Sequence, residues 1–138
     1  MSKTTSIEVV TNVLEWCMDK LATPGYVFTR EDLAGRFTED AQMITNGQLK
    51  CAGLDAHLLH FQEVQKKTNM IRIRFPLEVS ISNENESAAY YKIDYVMKDG
   101  TAGVVHDSAL WKTRDGKIAL MVECAAFDGP EIPLENHK

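Results

Sequence analysis

The sequence predicts a small α+β domain, in which three N-terminal helices pack on a strongly curved, mainly antiparallel β-sheet that forms a cone around a mainly apolar internal pocket. Apolar residues recur at helical spacing in the first half of the chain, and from Ile71 onward apolar and polar residues alternate. Two Asp-Gly pairs, at 99–100 and 115–116, are typical of β-hairpins. A length of 138 residues suits a single domain over 1–138. Residues 128–138 are expected to form a loosely ordered tail, because they carry few apolar residues and two prolines.

Three helices are predicted. The first covers 7–21, and Thr5 and Glu8 are expected to form a capping box at its start. The second covers 30–37, with Thr29 and Asp32 as a second capping box. The third begins after Gly53, and its apolar face is expected to hold four residues: Leu54, Leu58, Phe61 and Gln65.

The strands follow from alternation and turn chemistry. A short strand over 41–45 precedes the strong turn signal Asn46-Gly47. A half-buried strand is predicted over 71–81, with Pro76 at an edge or bulge because proline cannot donate to the β-ladder. Three long strands then form a meander, and they cover 88–98, 101–113 and 117–127.

Composition excludes several classes of partner and cofactor. A net charge of −5 disfavours nucleic acid, and no apolar run approaches the roughly 20 residues that span a membrane. Three cysteines without CxxC spacing are expected to be small core residues in a reducing, cytoplasmic compartment. His57 and His60 lie three residues apart without a third ligand at a recognised spacing, so no metal site is expected. No cofactor is indicated.

The hairpin register decides which side chains face the pocket, since a slip of one residue reverses every side chain of a strand. Both Asp-Gly turns fit three-residue loops with a left-handed glycine. This register places Asp107 on the concave face, directly between Tyr91 and Glu123 of the neighbouring strands. Two-residue loops would instead turn His106 inward, while Tyr91 and Glu123 would stay inside.

Two carboxylates in one apolar pocket cannot both ionise cheaply, so one pKa is expected to rise. Asp107 and Glu123 would then supply a base and a proton donor, with Tyr91 as a hydrogen-bond donor. Seven further residues are candidates for the pocket lining or its mouth: Trp16, Tyr26, Tyr95, Val105, Trp111, Met121 and, in the other register, His106.

The order of helices and strands over 6–127 resembles the NTF2-like superfamily, which includes ketosteroid isomerase, SnoaL-type polyketide cyclases, scytalone dehydratase and limonene epoxide hydrolase. The resemblance rests on the stretch 37–41 before the first strand, on Gly53 at the start of the third helix, and on the hairpin 111–118. The resemblance implies the cone fold and leaves the activity open, because proteins with this fold have unrelated activities.

The resemblance also bears on two residues. The general base of ketosteroid isomerase corresponds to Thr45 here, and a hydroxyl without an activating partner cannot abstract a carbon-bound proton. Limonene epoxide hydrolase has a catalytic aspartate at the position that Glu123 occupies. The resemblance therefore disfavours the isomerase mechanism and is consistent with a catalytic Glu123.

Two functions are compatible with these features. The first is a cofactor-independent isomerase, cyclase, dehydratase or hydrolase that acts on a small apolar molecule. The second is a non-catalytic dimeric module that binds a ligand or a protein. The outer face of the last two strands is mostly apolar and, as the resemblance also implies, is expected to form a homodimer; it holds Val104, His106, Ser108, Leu110, Ile118, Leu120, Val122 and Cys124.

Overall fold

The computed structural model describes residues 4–138, so residues 1–3 of the predicted domain lie outside the described part. The helices are α1 Ser6–Leu21, α2 Arg30–Ala34 and α3 Leu54–Lys67. The strands are β1 Phe37–Thr45, β2 Gln48–Ala52, β3 Thr68–Ile73, β4 Val79–Ser82, β5 Glu86–Met97, β6 Ala102–Arg114 and β7 Lys117–Asp128. No helix within residues 4–138 is both long and apolar enough to cross a membrane.

The strands form one mixed sheet in the order β2-β1-β7-β6-β5-β3, and β4 also pairs with β5. β1 pairs with β7 in parallel, and the other pairings between these strands are antiparallel. The main core lies between the helices and the concave face of the sheet, and its most buried members include Val10, Leu33 and Trp111. Cys17 and Cys51 are buried as expected, whereas Cys124 is exposed on the outer face. The predicted α+β cone is confirmed.

The first two helices differ in how the backbone N–H groups at their starts are satisfied. The Thr29 hydroxyl accepts from the Asp32 N–H at 3.2 Å, which confirms that cap, although α2 ends at Ala34 and Phe37 belongs to β1. The Thr5 side chain makes no capping hydrogen bond, so that capping box was wrong. The Ser6 N–H instead donates to the Asn83 carbonyl at 3.0 Å, because the β4–β5 turn packs against the start of α1.

The predicted strand over 71–81 is two strands. β3 ends at Ile73 and β4 begins at Val79, and both pair with the same edge of β5. Pro76 lies in the break between them, where its missing N–H costs no ladder hydrogen bond. Val79 and Ile81 are 60% and 71% exposed, so β4 is not half-buried as expected.

The two Asp-Gly hairpins have different turns. In the first, the Met97 N–H donates to the Thr101 carbonyl at 2.8 Å and Gly100 is left-handed, as the three-residue loop requires. In the second, Arg114 pairs with Lys117, and Asp115 and Gly116 both have positive φ, of 55° and 73°. This is a two-residue turn, so the predicted three-residue loop was wrong at this position.

A β-bulge compensates for the shorter turn. Thr113 pairs with Ile118 and Lys112 with Leu120, which leaves Ala119 as the extra residue on β7. The bulge returns Met121 and Glu123 to the concave face. Ile118 also faces inward and is 3% exposed, which corrects its expected position on the outer face.

The last residues, 129–138, form an ordered segment that we call the C-terminal strap. Ile132 is 6% exposed and packs with Tyr95 and Val105. Further along, the His137 N–H donates to the Lys50 carbonyl at 2.7 Å beside β2. The strap therefore crosses from β5 and β6 to β2, and the expected loose tail is corrected: two apolar side chains and backbone hydrogen bonds hold it.

Candidate functional site

A cavity of about 200 Å³ lies between the helices and the concave face of the sheet. α1 and α3 line one side, and β1, β3, β5, β6 and β7 line the other. The strap contributes three lining residues, Glu131, Ile132 and Leu134. Most lining side chains are apolar, including the predicted Val105, Trp111 and Met121. The cone thus encloses a small apolar cavity with few polar groups.

Asp107 lies at the centre of the sheet wall. It pairs directly with Tyr91 of β5, and both residues are almost completely buried, at 2% and 1% exposure. His106 faces the other way, where its Nδ1 lies 3.2 Å from the Tyr90 hydroxyl. The structure therefore selects the register with Asp107 inside and His106 outside the cavity.

Glu123 also lines the cavity but does not face Asp107 directly. It pairs with Ala109, whereas Asp107 pairs with Ala125, so the two carboxylates are diagonal neighbours. The predicted direct pairing was wrong by two residues, because the two-residue turn and the bulge at Ala119 each shift β7 by one residue along β6. Thr45, on the parallel β1, donates its hydroxyl hydrogen to Glu123 Oε1 at 3.3 Å.

Burial determines the electrostatics of the three polar side chains. Loss of water raises the pKa of Glu123 well above the usual range for a carboxyl, and the neighbouring Asp107 raises it further. Burial also raises the pKa of Asp107, although side-chain hydrogen bonds with Glu123 and Tyr91 partly oppose this shift. The pKa of Tyr91 rises because the ring is buried, with Asp107 as the next cause. We infer that the pair retains one proton at a pH at which isolated carboxyl groups are ionised.

Asp107 is incompletely satisfied. Its Oδ1 is buried and has no hydrogen-bond partner among residues 4–138. A buried carboxylate oxygen without a partner costs free energy, so such an atom in a cavity wall calls for an explanation. Of the described residues that line the cavity, Lys50 alone carries a positive side chain, and its Nζ donates to the Leu134 carbonyl at 3.0 Å.

Solved structures provide an independent comparison. An NTF2-like protein from Anabaena variabilis matches with a TM-score of 0.72 and 20% identity, over 94% of this chain and 97% of that one. An LEH-like epoxide hydrolase from M. tuberculosis matches with a TM-score of 0.68 and 9% identity, over 87% of this chain and 81% of that one. A third match is a protein from Catenulispora acidiphila with a ketosteroid isomerase-like fold, in complex with trimethylamine. Its TM-score is 0.66 and its identity 15%, over 87% of this chain and 85% of that one.

The chain has the NTF2-like fold. This agrees with the resemblance seen in the sequence. A scan against family models finds no match, and a search of curated proteins finds none either. At these identities the shared fold does not transfer an activity, so any function has to be argued from the cavity itself.

Three predicted lining residues lie outside the cavity of this NTF2-like fold. Trp16 packs beneath Arg36, whose guanidinium carbon is 3.8 Å from the ring centroid. The Tyr26 hydroxyl donates to Asp32. Tyr95 is buried, but its hydroxyl donates to the Pro130 carbonyl of the strap. These three aromatic side chains therefore contact neighbouring side chains or the strap and do not line the cavity.

Two histidines that line the cavity were not predicted as site residues. His57 and His60 both face the cavity from α3, with exposures of 1% and 8%. The predicted apolar face centred on Leu58 and Phe61, whereas the buried face is rotated toward His57, His60 and Val64. The signal in the sequence was the helical spacing of His60, Phe61 and Val64, which follow His57 by three, four and seven residues. This spacing predicts that the histidines are buried, but it does not tell whether they belong to the core or to a binding site.

Proposed function

We propose that the protein is an enzyme that uses Asp107 and Glu123 as a general acid/base pair on a small, mainly apolar substrate. The reaction classes that suit such a pair are isomerisation, cyclisation, dehydration and hydrolysis, and none of them needs a cofactor for proton transfer. The observation that carries the proposal is the pair of carboxyl groups, Asp107 and Glu123, that line one mainly apolar cavity, with one Asp107 oxygen left without a hydrogen-bond partner among the described residues. Perturbed carboxyl pKa values in a cavity are typical of catalytic sites.

In this proposal the two carboxyl groups have different roles. Burial, and after it the charge of Asp107, raises the pKa of Glu123, so in this proposal Glu123 holds the proton and donates it to a substrate oxygen. Asp107 acts as the base, toward water or a carbon-bound proton. Thr45 orients Glu123 through Oε1, which leaves the second oxygen to carry the proton. Tyr91, opposite Asp107, donates its hydroxyl hydrogen to that carboxylate and favours its ionised, basic form.

Hydrolysis has the most support among these classes. The general base position of ketosteroid isomerase is Thr45 here, and this hydroxyl serves Glu123 instead. An acid and a base on neighbouring strands suit protonation of a strained or leaving oxygen together with activation of water. One structural neighbour is described as an LEH-like epoxide hydrolase. Small apolar epoxides are therefore the first substrates to test.

The test is product formation by the wild-type protein and by two isosteric variants, Asp107→Asn and Glu123→Gln. The panel contains a small cyclic epoxide, a β-hydroxy ketone and a β,γ-unsaturated ketone, and products are identified by gas chromatography with mass spectrometry. We expect turnover of at least one class, with a loss of about 100-fold or more in each variant. Glu15→Gln, on the exposed side of α1, is the control. Wild-type rates in both carboxyl variants would refute the assignment.

We also propose that the protein forms a homodimer through the outer face of its sheet. The exposed large apolar side chains on this side are Leu110, Val79 and Ile81, at 59%, 60% and 71% exposure. They border a shallow groove that continues to Val122 and Cys124 of β7. Contiguous apolar patches of this kind are usually covered, and a two-fold dimer covers the patch of both copies at once. β4 adds to the band that the sequence indicated on β6 and β7.

A further inference from the structure

The cavity has polar groups on two walls. Asp107, Glu123 and Tyr91 belong to the sheet, and His57 and His60 belong to α3, which covers the concave face. All five line the same cavity, and the acid/base roles proposed above use only the sheet side. The two buried histidines therefore lack an assigned purpose.

The protonation state of His57 follows from its contacts. Its Nδ1 lies 2.8 Å from the Gly53 carbonyl oxygen, which can only accept a hydrogen bond. Nδ1 must therefore carry the hydrogen. Burial lowers the pKa of His57, so the ring is neutral and Nε2 is a hydrogen-bond acceptor. The Phe37 ring, with its centroid 5.1 Å away, holds the imidazole in place.

His60 is not satisfied by the protein in this way. Its Nδ1 is buried without a hydrogen-bond partner among residues 4–138. Burial lowers its pKa to about 3, and His57, His137 and Lys50 add to this effect while Glu63 opposes it. The ring is therefore neutral, and no partner of Nδ1 within the described chain fixes which nitrogen carries the hydrogen. Because the ring lines the cavity, a ligand that contacts it can select a donor or an acceptor tautomer.

We propose that His60, supported by His57, forms a second hydrogen-bonding subsite, so that the ligand of this cavity is a small molecule with an apolar centre and a hydroxyl or carbonyl group at each of two ends. One end meets Asp107 and Glu123 on the sheet wall, and the other meets the histidines on α3. This inference rests on the proposed function, because it takes the same cavity as the ligand site.

The size of the cavity limits the apolar centre. A cavity of about 150 Å³ is large enough to hold benzene, and this one measures about 200 Å³. A single six-membered ring with one short substituent at each end therefore fits. Larger fused-ring systems would require the C-terminal strap to move, since Ile132 and Leu134 bound the cavity on that side.

Three benzene derivatives of nearly equal size test the inference by calorimetric binding: p-xylene, 4-methylphenol and 4-(hydroxymethyl)phenol. They carry no, one and two hydrogen-bonding groups on the same apolar ring. We expect 4-(hydroxymethyl)phenol to bind about tenfold more tightly than 4-methylphenol, which is the effect of one added buried hydrogen bond. In His60→Phe the advantage of 4-(hydroxymethyl)phenol over 4-methylphenol should disappear.

A second measurement does not depend on a variant. Nitrogen-15 chemical shifts of the His60 ring in the wild-type protein should change when 4-(hydroxymethyl)phenol binds and should stay constant with p-xylene. Equal affinities for the one- and two-ended compounds, an advantage that survives in His60→Phe, or no binding of the two-ended compound would each overturn the inference. These readouts need no turnover, so they are independent of whether Asp107 and Glu123 prove catalytic.

Discussion

Glu123 lies diagonally across from Asp107, and each of the two carboxyl groups faces an alanine on the neighbouring strand. Asp107 pairs with Ala125, and Glu123 pairs with Ala109. Diagonal neighbours on one sheet face are about 7–8 Å apart at their backbones, and acidic side chains can close most of that distance. The alanine methyl groups leave space around both carboxyl groups. The pair is therefore close enough to share a proton and still leaves room for a ligand.

Ala125→Leu should fill the space opposite Asp107. The added carbon atoms would occupy part of the cavity, so binding of 4-methylphenol should weaken by at least about tenfold while the fold is kept, with a change in the free energy of unfolding within about 1–3 kcal/mol. Ala126→Leu, on the exposed face of the same strand, is the matched control. Calorimetry with both variants checks this, and unchanged binding in Ala125→Leu would place the ligand elsewhere.

The buried carboxyl pair should make folding weaker as the pH rises. Both pKa values are raised in the folded protein, first by burial, so the folded state binds more protons than the unfolded state above the ordinary carboxyl pKa of about 4. The stability associated with the pair is therefore full below about pH 4 and is lost as the pH rises through the folded-state values. Glu123→Gln should remove this loss and unfold less readily than the wild type near pH 8, by about 1 kcal/mol or more.

Urea unfolding of both proteins between about pH 4 and pH 8 measures the difference directly. The difference between the two curves is the informative quantity, because other carboxyl groups such as Asp94 and Asp40 have lowered pKa values and act in the opposite sense. Glu15→Gln should follow the wild-type curve. If the difference between Glu123→Gln and the wild type does not grow with pH, the raised pKa is not present.

Leu110→Lys should break the proposed homodimer. The substitution places a charge at the centre of the outer apolar band, and burying it without a partner would raise the dissociation constant by about 100-fold or more. Val27→Lys is the control, because Val27 is similarly exposed, at 68%, but lies in the loop between α1 and α2. Sedimentation equilibrium of the three proteins gives the masses. A wild-type protein that stays monomeric at high concentration would disprove the dimer.

Glu63 should act as the anchor of the C-terminal strap. Its carboxylate accepts from Lys67 Nζ at 2.8 Å, from His137 Nε2 at 3.0 Å and from the Glu135 N–H at 3.0 Å. Burial favours the neutral acid, but these hydrogen bonds outweigh it and lower the pKa of Glu63 to about 2. The stability that Glu63 provides is present above the ordinary carboxyl pKa and is lost as the pH falls toward the folded-state value.

Glu63→Ala should therefore release the strap without unfolding the sheet. We expect amide hydrogen exchange of Glu135 and His137, whose N–H groups donate to Glu63 and to the Lys50 carbonyl, to accelerate by about tenfold, while amides of β6 keep their protection. Glu31→Ala, on the exposed side of α2, is the control. Unchanged exchange in the strap would show that the apolar side chains and the backbone hydrogen bonds to β2 hold it without Glu63.

Local patterns determined most of the architecture. Helical spacing predicted α1 and the start of α3, and alternation with Asp-Gly turns predicted β5, β6 and β7 within a few residues, because both signals depend on neighbours in the chain. The inward direction of Tyr91 and Glu123 also followed from the sequence. Both turn lengths that were considered place these two residues on the concave face, so an error in the loop did not change the result.

Tertiary structure decided the details of the site. The choice between Asp107 and His106 depends on the first Asp-Gly turn, whose three-residue loop places Asp107 opposite Tyr91. The bulge at Ala119 and the diagonal position of Glu123 depend on the second turn, where Asp115 as well as Gly116 is left-handed. The burial of His60 depends on how α3 rotates against the sheet. The strap folds back because Ile132 packs on Tyr95 and Val105, while backbone hydrogen bonds join His137 to β2. These contacts join residues far apart in the chain, so they cannot be predicted from composition or from the spacing of neighbouring residues.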